Sequence, residues 1–227
     1  QRNRPIADKL MVIGNRDNDH LSQEVLDRLD VEYLKIVEVV PRNTAAAIAF
    51  AALAIDEDDI LIVTPSDHLI EDMEAYQIAM KKAIDLAEND FIVTFGIHPT
   101  RPETGYGYIE HKGDKVLSFR EKPNHITAQD FIEQGNFLWN SGMFCFKAKV
   151  LLKELKKFEK EIYETSKIAW EASNNGELDE ALSMEIPSNS IDYAVMERSK
   201  KIKVVPAKFV WNDLGSFESL YDYFVIN

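Results

Sequence analysis

What most constrains this chain is the alternation of short apolar runs with helix-like stretches between Lys9 and Phe95. KLMVIG (Lys9 to Gly14) and YLKIVEVV (Tyr33 to Val40) are short and rich in β-branched residues, and read as strands. Between them, Asp19 to Leu29 has the polar start and apolar spacing of a helix. Asn43 to Ile55 is alanine-rich and reads as a second helix, and DILIVT (Asp59 to Thr64) is apolar almost throughout, as a strand covered on both faces would be. A helix over Met73 to Ala87 and the strand FIVTF (Phe91 to Phe95) repeat the unit. Elements in this order bury their apolar faces best in a layered α/β fold. The expectation is a Rossmann-like, mostly parallel mixed sheet with helices on both faces.

The rhythm changes at Gly105. GYGYIEHKGDKVLSFREKP carries a Gly-Asp turn between two β-rich runs and reads as a β-hairpin insertion. Trp139 to Phe146 resumes an apolar strand, and Val150 to Ala172 has the spacing of one long amphipathic helix. Ser190 can cap a helix running to Arg198, and Ile202 to Val205 returns as a strand. No repeat, low-complexity tract or linker divides the 227 residues, so one domain over 1–227 is expected.

Composition narrows the partners more than the fold. No apolar run reaches the roughly 18 residues of a membrane-spanning helix; the longest nearly apolar stretch is Ala45 to Ile55. The net charge of −13 argues against binding a nucleic-acid backbone. A nucleotide stays open, because a divalent cation held by carboxylates can screen its phosphates. The lone Cys145 cannot form an intrachain disulfide, and QRNRPIADK lacks the apolar core of a secretory signal, so a reducing cytoplasm is the expected setting.

Six segments hold residues able to carry chemistry. In TPSDHLIED, Asp67 follows an apolar strand, where ligands of open α/β sheets sit; it either holds Mg²⁺ or caps the next helix. Asp213 in WNDLGS also follows a strand-like run, and the two carboxylates could share one divalent ion. In REKPN, Glu121 can accept from sugar hydroxyls and Lys122 can place a charge on phosphate, although a solvated loop explains both. Gly107, in GYGYIE, lets backbone approach a ligand or simply forms a turn; Arg101 nearby either meets phosphate or pairs with Glu103. Asn140, inside the apolar FLWNSGMFCF, must satisfy its amide from backbone or from a ligand. Asn43 and Thr44 sit where a helix begins, which capping explains, though a helix N-terminus also offers N–H groups to a nucleotide. Glu38 ends a strand, and its carboxylate can accept the adjacent N1–H and N2–H of guanine, a donor pair that adenine and uracil lack. There is no GxSxG, HExxH or GxGxxG signature to support a serine hydrolase, zinc peptidase or dinucleotide-dependent oxidoreductase.

Taken in order, RNTAAAI, TPSDHLI, GIHPTRPETGYGYIE, FREKPN, GNFLWNSGMFCF, SIDYAVMER and WNDLGSFESLY closely resemble the mannose-1-phosphate guanylyltransferases among the nucleoside-diphospho-sugar transferases. The motifs run from Arg42 to Tyr221. The resemblance implies that mannose 1-phosphate attacks the α-phosphorus of Mg²⁺-bound GTP, giving GDP-mannose and pyrophosphate. It implies Asp67 and Asp213 for metal, Glu38, Asn43 and Thr44 for the guanosine end, Gly107, Glu121 and Asn140 for mannose, and Lys122 for the sugar phosphate.

Some features depart from the family pattern. The family's opening strand and GGxGxRLWP-type loop, which grips the triphosphate, does not occur in these residues, and the expectation is negligible turnover by residues 1–227 alone. VVP at positions 39–41 and Phe217 are smaller departures. Relatives often carry a C-terminal cupin isomerase domain, whose His/Glu set is not found in this sequence; in a bifunctional gene product it would lie beyond Asn227. Relatives also commonly form homodimers. A same-fold transferase using UTP or dTTP, and a sugar-nucleotide-binding regulatory subunit without turnover, are the competing readings.

Overall fold

The structure is a computed structural model in which residues 2–29 and 31–214 are described. In chain order the elements are β1 (Leu10–Asn15), α1 (Asp19–Leu29), β2 (Tyr33–Glu38), α2 (Asn43–Leu53), β3 (Ile60–Val63), β4 (Leu69–Ile70), α3 (Met73–Glu88) and β5 (Ile92–Ile97). They continue as β6 (Tyr108–Lys112), β7 (Lys115–Arg120), α4 (His125–Gln134), β8 (Phe137–Lys147), α5 (Ala148–Phe158), α6 (Lys160–Glu171) and α7 (Glu180–Met184). A π-helical turn (Asp192–Met196), β9 (Ile202–Pro206) and β10 (Trp211–Asn212) complete the described chain. The class is α/β, as the alternation requires.

The residues fall into two compact units. The first comprises Asn3–Leu61 and Lys147–Lys200. In it β1 and β2 pair in parallel across α1, from Leu10 opposite Tyr33 to Asn15 opposite Glu38. Helix α2 is apolar nearly all round, burying Ala45, Ala46, Ile48, Ala49, Phe50 and Ala52, and it packs against α5 and α6. A helix with that composition is driven into a core rather than onto a surface. The single long helix expected over Val150 to Ala172 is instead two, because Glu159 leaves the helical region at φ −137°, ψ 66°. Its carboxylate is ion-paired with Arg198, and the break lets α5 and α6 pack against each other. Ser190 does accept a cap bond, from the Tyr193 N–H, but the turn it starts is π-helical and ends at Met196.

The second unit comprises Ile62–Phe146 and the chain from Lys201 on, with Arg2. It holds a mixed sheet in the order β3-β8-β5-β9-β7-β6. Pairing is parallel between β5 and β9, and antiparallel for β5 with β8, β6 with β7 and β6 with β8. The antiparallel share exceeds what strand-helix alternation suggests. The hairpin folds back on β8, and β8 in turn runs against β5. The hairpin turn is at the expected Gly-Asp, with Gly113 in the left-handed region at φ 65° that such a tight turn needs. Helix α3 packs on β5 and β9, while Ala128, Phe131 and Ile132 of α4 join Tyr108, Phe137 and Trp139 in one apolar cluster. Cys145 on β8 is fully buried, and burial pushes its thiol up to about 12. Among the described residues no helix is long and apolar enough to cross a membrane.

Candidate active site

Two groups of functional side chains emerge, one in each unit. In the first unit Glu38 ends β2 with only 8% of its surface exposed. Its carboxyl accepts the backbone N–H of Arg42, while Oε1 is buried with no hydrogen-bond partner. Burial pushes this carboxyl up to about 7, against the pull of the Arg42 N–H. A buried acceptor without a donor is costly in a native protein and marks a place where a ligand can supply one.

The turn after Glu38 is held from several sides. Asn43 stands at φ 71°, and its Oδ1 accepts the Thr44 N–H at 2.8 Å. The Thr44 hydroxyl accepts the Ile191 N–H at 2.9 Å, and Arg42 Nε donates to the Ile186 carbonyl. These bonds revise the capping explanation. The residue at the cap of α2 is Arg42, which gives no side-chain cap bond, and Thr44 instead ties the helix start to the segment before the π-helical turn. Asn43 and Thr44 both remain exposed at the helix N-terminus.

In the second unit the sugar-side residues are brought together around Gly107. A Cβ at this buried glycine would come within 2.4 Å of Glu121 Oε2 and 3.2 Å of Asn140 Cβ. The backbone is laced in the same way: the Asn140 N–H donates to the Gly107 carbonyl at 2.8 Å, and the Lys122 N–H to the Tyr106 carbonyl at 3.2 Å. Asn140 lies where β8 slips register against β5, at a bulge that also holds Gly142 at φ 70°. Its Oδ1 accepts from the Thr94 hydroxyl at 2.7 Å and from the Gly142 N–H at 3.3 Å, and that backbone donor fixes which end of the amide is oxygen. The exposed Lys122 sits at φ 46°, a conformation uncommon for a side chain of its size and of the kind that collects at functional sites. Arg101 pairs with Glu103 at 3.2 Å, the simpler of its two readings.

The two aspartates flank an aromatic group that sequence reasoning did not single out. Asp67 lies in the loop between β3 and β4 with its side chain 68% exposed, beside a buried His68. Asp213 follows β10 and accepts a hydrogen bond from the Tyr106 hydroxyl, which raises that phenol above its ordinary value, as burial does more strongly. Both carboxylates act on the His68 ring, yet burial prevails and holds the imidazole below its usual value. The motif spelling, with His68 directly after Asp67, was the only sequence signal for it. Among the described residues no three His, Cys, Asp or Glu side chains form a metal-ligating group. Two carboxylates suit Mg²⁺, which commonly takes one or two from the protein and completes its shell with phosphate oxygens and water. Gly215 to Tyr221 of the last motif, Phe217 included, lie outside the described residues.

Residues 2–226 match the nucleotidyl transferase family. The chain is 41% identical to the alginate biosynthesis protein AlgA of Pseudomonas aeruginosa over 93% of this chain and 47% of that protein. It is 40% identical to the mannose-1-phosphate guanylyltransferase of Escherichia coli K12, over 93% of this chain and 48% of that enzyme. The chain thus spans about half the length of these curated relatives. Among solved structures, mannose-6-phosphate isomerase from Helicobacter pylori superposes with a TM-score of 0.88 at 40% identity, over 93% of this chain and 88% of that one.

Proposed function

Since this chain belongs to the nucleotidyl transferase family, we propose that it transfers GMP from GTP to mannose 1-phosphate, giving GDP-mannose and pyrophosphate. Its likeness to a guanylyltransferase of Escherichia coli supports the donor and the acceptor. The single observation that carries the choice of guanine is Glu38: a buried carboxyl whose Oε1 has no partner, and which needs an N–H donor to be satisfied. Guanine offers two adjacent donors and no other common base does.

In this reading Glu38, Asn43 and Thr44 meet the guanosine end, Gly107, Glu121 and Asn140 hold mannose, and Lys122 meets the sugar phosphate. A phosphate oxygen of mannose 1-phosphate forms the new bond to the α-phosphorus as the bond to the pyrophosphate oxygen breaks. No protein nucleophile and no proton transfer is required, so the side chains act by alignment and charge. Asp67 and Asp213 would hold Mg²⁺, which screens the charge of the triphosphate. A cytoplasmic setting, homodimeric assembly and a single nucleotidyltransferase domain over 1–227 belong to the same proposal.

The test uses the full-length gene product, with pyrophosphate release measured for GTP, ATP, UTP and dTTP at saturating mannose 1-phosphate. GTP is expected to lead, and Glu38→Gln to cut its kcat/KM by about tenfold or more, the value of one lost charge-assisted pair. Equal use of UTP or dTTP would overturn the guanine assignment, and binding of GDP-mannose without any turnover would overturn the enzyme.

A further inference from the structure

The indole of Trp211 and the imidazole of His68 meet at 3.1 Å between Nε1 and Nδ1, with their rings edge-on at 87°. An indole nitrogen only donates, so His68 Nδ1 is the acceptor, and in the neutral ring the proton must then be on Nε2. Nε2 faces the Asp67 carboxylate, 4.0 Å from Oδ1, too far for a direct hydrogen bond and near enough for a fixed N–H dipole to orient the acid. The His68 carbonyl is held independently, by Arg2 at 2.9 Å.

The same indole leads to the second acid. Tyr106 packs edge-on against Trp211 at 5.5 Å between centroids, and against Trp139 at 5.2 Å. Its hydroxyl donates to Asp213. Strands β4 and β10 pair antiparallel, Trp211 opposite Ile70 and Asn212 opposite Leu69, which sets the two loops side by side. Asp213 therefore accepts from a neutral O–H donor, Asp67 faces a neutral N–H across 4.0 Å, and both donor side chains touch one indole. A neutral donor aims a carboxylate without adding a positive charge that would repel a divalent cation.

We propose that His68 and Tyr106 are positioning residues for the Asp67 and Asp213 carboxylates, coupled through the Trp211 indole, and that His68 works as its Nε2–H tautomer. The proposal rests on the reading that these two acids hold the metal.

The experiment is done on the full-length protein with Mn²⁺ as the probe. Free Mn²⁺ is followed by electron paramagnetic resonance, and thermal melting checks the fold. Partners one step out from a metal ligand typically change affinity by about tenfold or more when removed. His68→Asn, Tyr106→Phe and Trp211→Phe are each expected to weaken Mn²⁺ binding on that scale. His68→Gln, whose amide N–H reaches the Nε2 position, is expected to stay within about threefold of the parent, a difference of less than 1 kcal/mol. Nitrogen-15 spectra should show His68 as the Nε2–H tautomer in the parent and a loss of that pattern in Trp211→Phe. Equal losses in His68→Gln and His68→Asn, or an Nδ1–H tautomer, would overturn the proposal. Asp67→Asn and Asp213→Asn separate the two levels: if neither weakens Mn²⁺ binding, the metal reading itself fails. If both weaken it while His68→Asn and Tyr106→Phe do not, only the positioning role fails.

Discussion

Glu38 is the residue at which stability and recognition pull in opposite directions. Its carboxyl is raised from 4.5 to about 7, so the folded protein favours the neutral form. The sign follows from linkage: the contribution is fully present below the unfolded value and is lost as pH rises through about 7. The scale is at most about 3 kcal/mol. Denaturant unfolding between pH 5 and pH 8 should show the parent losing stability relative to Glu38→Gln across this window. GTP affinity should run the other way, rising with pH as the carboxylate ionises. Thr94 gives a second prediction. Thr94→Val keeps the shape but removes the buried donor to Asn140, so stability should fall by about 1–3 kcal/mol. KM for mannose 1-phosphate should rise more than kcat falls, read from steady-state kinetics. Asp67, Glu121 and Asn140 were readable as candidates because each stands in a motif whose spelling suggests chemistry. Thr94 and His68 were not, since their partners lie 46 and 143 residues away and the meaning of each depends on the partner.

Among the elements, those with one clear periodicity were the most legible. Helix α1 has the bounds that its polar start and apolar spacing predict, and the hairpin turns at its Gly-Asp. Helix α4, over HITAQDFIEQ, was not anticipated, although Asn124 caps it by accepting the Thr127 N–H and Gly135 ends it at φ 73°. The break between α5 and α6 was hidden for a different reason, as the amphipathic spacing continues through Glu159 while the backbone does not. At the edge of β2, Gly176 accepts the Val37 N–H through its carbonyl at 2.9 Å, and stands at φ 81°. A Cβ there would come within 2.0 Å of the Lys35 carbonyl oxygen. Gly176→Ala should therefore cost about 3 kcal/mol, combining left-handed strain with a backbone clash, and lower the melting temperature by several degrees.

At the scale of the whole molecule, the α/β class was legible and the division into two units was not. Composition carries no trace of it, because the chain crosses the division at Leu61, Phe146 and Lys200, inside or beside regular elements rather than at a linker. A chain threaded back and forth in this way should lose both units together, since ordering either one pins the ends of the other. Cys145 gives a clock for that event. It is the single cysteine of the 227 residues, and its burial keeps the thiol from a reagent while β8 is formed. Labelling by a thiol reagent should wait for opening of the second unit. Gly176→Ala, a lesion confined to the first unit, is expected to speed it nonetheless. An unchanged labelling rate in that variant would mean two independent folding units, and one sulfur atom is enough to tell them apart.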